Sequence, residues 1–346
     1  MTIQKERVGI IGSGNWGSAV AKIIGENVQK HPETFEYPVR QWVFEEDYKG
    51  QPLTKVINES HENPKYLPGI RLPNNVQAEP DLIKTCEDCT MLVFVLPHQF
   101  VRGVCDDLQG KVNPSVKAIS LIKGLEIKPD QVTLFSQEIG RRLHLTHPVA
   151  ALSGANIADE VAKERFCEST IGCTSAQAGE LFHRLFATPY FRINVIGDPV
   201  GVELCGALKN VVAVAAGISD GLGYGDNTKA ALIRIGLMEM RKFAKSFFGG
   251  VEDVTFFESC GVADLITTCA GGRNRRVAEA FAKTGKPIDV LEKEMLNGQK
   301  LQGTLTAMEV HQFLTHHQMT KAFPLFDAVY RVIYEKAPLD TIVRNL

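Results

Sequence analysis

What this sequence lacks first is an excess of charge. Its 38 lysines and arginines face 40 aspartates and glutamates, a formal net charge of −2 with histidine neutral. A balanced chain offers no field to hold DNA, RNA or an anionic membrane, so neither nucleic acid nor membrane is an expected partner. A paired cysteine framework is missing too. The 8 cysteines are scattered, and only Cys86 and Cys89 form a C-x-x-C pair. No second pair and no histidine stand at zinc spacing, so no metal site is expected. The strand-like stretch "RVGIIGSG" begins at Arg7, which leaves no room for an export leader. Free thiols without such a leader read as cytoplasmic. An uninterrupted apolar run of membrane length is also absent. The longest near-apolar stretch, "LCGALKNVVAVAAGI" (204–218), is broken by Lys209 and Asn210. It reads as a buried helix and not a membrane span. Repeats, low-complexity tracts and long linkers are lacking as well.

What is present is an ordinary globular composition, 44% apolar and 23% charged, over 346 residues. That length exceeds what one hydrophobic core usually holds, so two domains are expected. The first half alternates short β-branched runs with helical pieces. Strands are expected at 7–12, 39–44, 91–97, 116–122, 149–154, 169–173 and 191–196. Apolar strands separated by helices specify a mainly parallel sheet covered on both faces. Past Gly197 the texture becomes helical. Asp198 reads as an N-cap with Pro199 at the first helical position, and Asp226 or Asn227 as the cap of a second long helix. The expected domains are residues 1–197 and 198–346.

"VGIIGSGNWGSAVA" carries G-x-G-x-x-G at Gly12, Gly14 and Gly17, after an apolar strand and opening a helix. That context is the one a dinucleotide-binding turn requires. Gly12 permits the tight turn, Gly14 lets the backbone approach a pyrophosphate, and Gly17 lets helix and strand pack closely. The helix N-terminus supplies N–H groups and a positive dipole end for phosphate. The second strand ends in "WVFEE". Glu45 or Glu46 there can bond a ribose 2′-OH and would repel a 2′-phosphate, favouring NAD over NADP, while Phe44 can instead wall the adenine.

Nine segments then occur in order: "GSGNWGSA", "LPHQF", "LIKG", "GANIA", "GALKNVVAV", "GYGDNTKAA", "GVADLITTC", "GGRNRRVAEAF" and "LNGQKLQG". From residue 7 to about 334 the chain closely resembles the eukaryotic-type NAD-dependent glycerol-3-phosphate dehydrogenases. The resemblance implies an α/β fold, with an N-terminal Rossmann-type doubly wound sheet and an all-α C-terminal domain. It implies a homodimer and reversible hydride transfer between NADH and dihydroxyacetone phosphate, giving sn-glycerol 3-phosphate.

Hydride arriving at a ketone carbon builds negative charge on its oxygen, which must be neutralised or protonated. Lys209 on its apolar helix suits that task, because burial lowers a lysine pKa towards neutrality. The resemblance places the catalytic lysine there. Asn210 points about 100° further round the helix, so it is expected to orient either the substrate or the surroundings of Lys209. Lys123 in "LIKG" stands at a strand's carboxyl end and resembles a second active-site lysine that contacts substrate. Asp264 looks like the carboxylate that offsets these ammoniums, with Thr268 one helical turn on. In "GGRNRRVAEAF", Arg273 offers a planar fork for phosphate and Asn274 an amide donor. The resemblance gives both to the substrate phosphate and sets Arg273 close to the cofactor. For NAD it implies contacts from Gly12, Ser13, Gly14, Asn15, Trp16 and Gly17, and from Phe44, Phe100 and Ala158. Lys300 and Gln302 match a glycine-flanked loop over the pyrophosphate. In that loop the family's "LQGP" reads "LQGT", with Thr304 in place of proline.

Two other readings are weighed against this one. A nicotinamide-sensing binding protein of the same fold would have lost Lys209 or Arg273, and both are present. A related 3-hydroxy-acid dehydrogenase would differ in the phosphate clamp and in the "DLITTC" segment.

Overall fold

The computed structural model describes residues 5–296 and 298–344. Its chain divides into two compact units, Met1–Lys123 with Phe135–Pro199 and Gly124–Leu134 with Val200–Leu346.

The first unit is built on eight strands. They are β1 (Val8–Ile11), β2 (Val39–Trp42), β3 (Val76–Glu79), β4 (Met91–Phe94), β5 (Lys117–Ser120), β6 (Ala150–Ser153), β7 (Cys167–Gly172) and β8 (Phe191–Ile196). Their order across the sheet is β8-β7-β6-β5-β4-β1-β2-β3. The pairs from β3 through β6 are parallel, β6–β7 is antiparallel, and β7–β8 is parallel again. The order 3-2-1-4-5-6 is that of a doubly wound dinucleotide-binding sheet. Strand residues alternate faces, as the two-residue pleat requires. Val8, Ile10, Val93, Ile119 and Leu152 enter one core, which includes Val20, Ile23 and Ile24 of the helix Asn15–Lys30. Ile11, Leu92, Phe94 and Ala118 enter the other, with Val101, Val104 and Leu108 of the helix Val101–Leu108. β1, β4 and β6 are buried throughout, which is why their sequences read as unbroken apolar runs.

β3 is an edge strand that no expected run covers. Only Val76 and Ala78 of "VQAE" turn inward, so its apolar signal is two residues long. A further difference concerns the division at 197 and 198. Residues 124–134, expected in the first domain, belong to the second unit. They form a hairpin, Leu125–Lys128 paired with Gln131–Leu134, turning through Pro129 and Asp130. Its inward Leu125, Ile127 and Leu134 are buried, and the strand Leu125–Lys128 packs on the helix Gln302–His316.

The rest of the second unit is helical. Its organising element is Pro199–Leu222, with Pro199 at the first turn as expected. This helix is long and apolar enough to cross a membrane, and its most apolar stretch is entirely buried inside the fold. The next helix, Asp226–Phe247, starts at Asp226, while Gly225 with φ 81° holds the cap position that Asp226 or Asn227 was expected to fill. The helix Arg273–Thr284 lies flush on the buried one. A Cβ on Gly217 would come within 2.2 Å of the Arg275 carbonyl oxygen, and one on Gly221 within 2.8 Å of that of Glu279. Two glycines one turn apart thus set the backbone approach that brings the start of the second helix to Asn210.

Candidate active site

In the first unit the glycine turn follows β1 and faces the end of β4, its neighbour at the point where strand order reverses. Gly12 has φ 124°, and a Cβ there would lie 2.4 Å from the carbonyl oxygen of Val95. A Cβ on Gly17 would lie 2.6 Å from the Gly12 carbonyl oxygen, so the third glycine is fixed by helix–strand packing. Gly14 is different: a Cβ there meets nothing within 4 Å. Its open side borders the N-terminus of the helix Asn15–Lys30, which makes a concave, N–H-lined cradle suited to a pyrophosphate.

The turn is braced by residues that sequence reading missed. Gln41 donates from Nε2 to the carbonyls of Gly12 (2.9 Å) and Gly17 (3.2 Å). Asn63 donates to the carbonyl of Ser13 at 2.9 Å. Asn15 spends its side-chain amide on the Tyr66 carbonyl (2.8 Å) and the Asp159 carboxylate (2.9 Å). Trp16 packs its ring edge-on to Phe191, 6.2 Å between centroids. The Asn15 amide nitrogen is therefore engaged within the protein, and Trp16 is held from one side.

Phe44 is 68% exposed after β2, and Phe100 is 55% exposed in the turn after β4. Both rings lie just past parallel strand ends with most of their surface in solvent, and Phe44 keeps an edge contact with Trp42, 6.5 Å between centroids. Ala158 opens a short helix and is buried with Ala19, Leu67 and Ala162. The two glutamates after Phe44 are both engaged. Glu45 accepts from Thr54 N (3.2 Å) and Thr54 Oγ1 (2.5 Å) at the start of a helix. Glu46 accepts from Lys65 and from the Tyr66 hydroxyl. The Lys65 bond first, then that of Tyr66, holds its carboxyl below the usual range. Lys123, half-buried beyond β5, donates to the carbonyl of Gly154 at 3.1 Å.

In the second unit the buried helix delivers Lys209 and Asn210 to two separate clusters. Lys209 is 5% exposed and Asp264 3%. The ammonium donates to Asp264 Oδ1 at 2.5 Å and to Thr268 Oγ1 at 2.7 Å. Asp264 and Thr268 share the helix Asp264–Gly271, four residues apart on one face. The Lys209 ammonium is thus buried together with a carboxylate and a hydroxyl, its two bonded partners. Asn210 accepts from Asn274 Nδ2 at 2.9 Å, and Asn274 Oδ1 accepts from Gly303 N at 2.7 Å. Gly303 sits so close that a Cβ would meet the Asn210 carbonyl oxygen at 2.4 Å. Asn274 is thus fixed on both sides, beside an exposed Arg273 whose Nη1 donates to Gln299 Oε1 at 3.0 Å. Lys300 pairs with Glu292 at 2.8 Å. Gln302 donates to Thr306 Oγ1 at 3.3 Å, and Thr304 donates to the carbonyl of Leu301 at 3.0 Å.

The C-x-x-C pair supplies no thiolate. Cys86 and Cys89 are free and buried, and burial raises both thiols, Cys89 to about 11.

A glycine turn at a helix N-terminus in one unit, and a buried ammonium paired with a carboxylate in the other, are now to be set against known proteins. Residues 7–179 match the family model for the NAD-dependent glycerol-3-phosphate dehydrogenase N-terminus, and residues 198–344 that for its C-terminus. The chain belongs to the NAD-dependent glycerol-3-phosphate dehydrogenases. It is 56% identical over 342 residues to the cytoplasmic NAD(+) glycerol-3-phosphate dehydrogenase of Homo sapiens, covering 99% of this chain and 97% of that one. Among solved structures, the Saccharomyces cerevisiae glycerol-3-phosphate dehydrogenase superposes with a TM-score of 0.94 at 45% identity, covering 99% and 100%. The Plasmodium falciparum glycerol-3-phosphate dehydrogenase does so with 0.94 at 39% identity, covering 99% and 95%. The dehydrogenase is an oxidoreductase that uses NAD. Its glycine turn fits that group, since Gly14, where a Cβ would meet nothing within 4 Å, is the glycine of the motif that a pyrophosphate approaches.

Proposed function

We propose that this dehydrogenase interconverts dihydroxyacetone phosphate and sn-glycerol 3-phosphate with Lys209 as its acid–base group. The observation that carries the reading is a lysine 5% exposed on an apolar helix, bonded to Asp264 and Thr268. NAD, when bound, supplies or receives the hydride. As the carbonyl carbon is reduced, its oxygen becomes an alkoxide and takes a proton from the Lys209 ammonium. In the oxidation direction the neutral amine takes that proton back. Asp264 stabilises the charged form of Lys209 and Thr268 fixes its direction. Arg273 and Asn274 bind the phosphate group, the arginine by its bidentate fork and the asparagine by an amide that Asn210 and Gly303 already orient. Lys123 contributes a second ammonium to the substrate. The backbone from Gly12 to Gly17 takes the pyrophosphate, Phe44 and Phe100 wall the nucleotide with Ala158 nearby, and Lys300 in the loop contacts the pyrophosphate together with Gln302. Gln302 is not in the loop, contrary to expectation, but opens the helix Gln302–His316 that follows it. A cytoplasmic enzyme is supported by relatives named so, and the family resemblance implies a homodimer.

The test is NADH oxidation with dihydroxyacetone phosphate, set against NADPH and against unphosphorylated dihydroxyacetone. Turnover should require both the phosphate and NADH. Lys209→Ala should lower kcat by about 100- to 10,000-fold, the range of a lost general acid, while NADH still binds. Equal kinetics with and without the substrate phosphate would remove Arg273 and Asn274 from their role, and near-normal turnover of the variant would remove Lys209.

A further inference from the structure

We propose that Glu292 is the positioning residue of the cofactor loop, fixing the loop's backbone and aiming Lys300. The proposal rests on the reading of Lys300 as a pyrophosphate contact.

Glu292 lies on the helix Ile288–Leu296 and is 4% exposed. It bonds the loop three times. Its Oε1 accepts from Leu301 N at 2.8 Å, its Oε2 from Lys300 Nζ at 2.8 Å, and its backbone carbonyl from Gly298 N at 3.0 Å. Gly298 itself has φ 80°, a left-handed conformation that glycine adopts freely, and the chain runs on from it to Lys300. The ion pair is asymmetric. The Lys300 side chain is 77% exposed and that of Glu292 only 6%. The carboxylate is the anchor and the lysine the arm.

This asymmetry argues for aim and against a merely stabilising bridge. An ion pair with one end in solvent adds little to stability. An ammonium carries three N–H donors, so Lys300 can keep its bond to Glu292 and still offer two to phosphate oxygens. Holding the four-carbon stem beforehand removes rotamer freedom that binding would otherwise have to remove. The Glu292 bond also raises the Lys300 pKa, so the arm stays charged. Leu301 N–H, on the other oxygen, fixes the carboxylate's direction.

Glu292→Gln separates aim from architecture. The amide is nearly isosteric and keeps an oxygen for Leu301 N–H, but it loses the charge that holds Lys300. We compare it with Lys300→Ala and with the double variant, reading the Kd of NADH from nucleotide fluorescence, kcat at saturating NADH, and the thermal midpoint. Glu292→Gln should weaken NADH about tenfold, with the midpoint within a few degrees of the unmutated protein. Its kcat at saturation should fall far less than its affinity, as for a loss of uniform binding. Lys300→Ala should weaken NADH at least as much, and the double variant should be no weaker than Lys300→Ala by more than about twofold. Additive losses in the double variant would overturn the proposal, since Glu292 would then act independently of Lys300. Normal binding by Glu292→Gln beside weak binding by Lys300→Ala would overturn it alone. Normal binding by Lys300→Ala would remove the reading of Lys300, and the proposal with it.

Discussion

A buried lysine is tolerated at position 209 because its partners are buried with it. Two charges taken out of water cost several kcal/mol each, and only close pairing with further hydrogen bonds offsets this. Lys209 has Asp264 at 2.5 Å and Thr268 at 2.7 Å, so the pair should add no large net stabilisation. Removing one partner is a different matter. Asp264→Ala should cost about 3–5 kcal/mol, because it strands an ammonium, whereas Lys209→Met with Asp264→Leu should be near neutral or stabilising while abolishing turnover. Urea denaturation at pH 7 checks this. A double variant as unstable as Asp264→Ala would show that the pair itself holds the fold. Lys209 was legible in the sequence because a cation inside an apolar run stands out. Gln41, Asn63 and Glu292 were not. An amide on a strand or a loop carries no pattern of its own, and "LEKE" reads as an ordinary solvated helix face until its glutamate is found 4% exposed.

At the scale of the element, the helix Pro324–Tyr334 is capped from outside its own sequence. Leu325 N and Phe326 N donate to the carboxylate of Glu239, at 2.8 and 3.0 Å, on the helix Asp226–Phe247. Such a cap is invisible to local capping rules, which look one to three residues away. Burial pushes the Glu239 carboxyl up from 4.5 to about 7, although both N–H bonds pull it down. A carboxyl raised on folding contributes stability that is complete below its unfolded value and is lost as pH rises through its folded value. The loss therefore runs from about pH 4.5 to above pH 7 and amounts to about 3 kcal/mol. Glu309, raised to about 7 by burial and the nearby Glu126, acts in the same direction. The informative quantity is thus the difference between variant and parent. The melting temperature of Glu239→Gln minus that of the parent should become more positive between pH 5 and pH 8. A difference that is flat or falls with pH would mean that Glu239 is ionised throughout. Strand positions, by contrast, followed directly from sequence, because β1, β4 and β6 are buried on both faces and read as apolar runs. β3 escaped because an edge strand with two inward residues gives almost no signal.

At the scale of the whole molecule, the chain leaves its first unit after Lys123, contributes a hairpin to the second, and returns at Phe135. A sequence boundary placed where strands give way to helices cannot see this, because the exchanged piece is itself strand. Which core a hairpin joins is decided by what its inward face meets. Leu125, Ile127 and Leu134 are 5%, 9% and 0% exposed, and the strand carrying the first two packs on the helix Gln302–His316. Ile127→Ala should therefore destabilise the second unit by about 2–4 kcal/mol, the usual cost of truncating a buried aliphatic side chain. Because a two-unit protein need not melt in one step, a single melting temperature is a poor readout. Peptide-resolved hydrogen exchange is better, since it reports each unit's opening separately. Protection should fall across Gln302–His316 and stay unchanged in β5 and β6, although residue 127 lies between those two strands in the sequence. Loss of protection in β5 and β6 instead would mean that the hairpin serves the sheet it is spliced into.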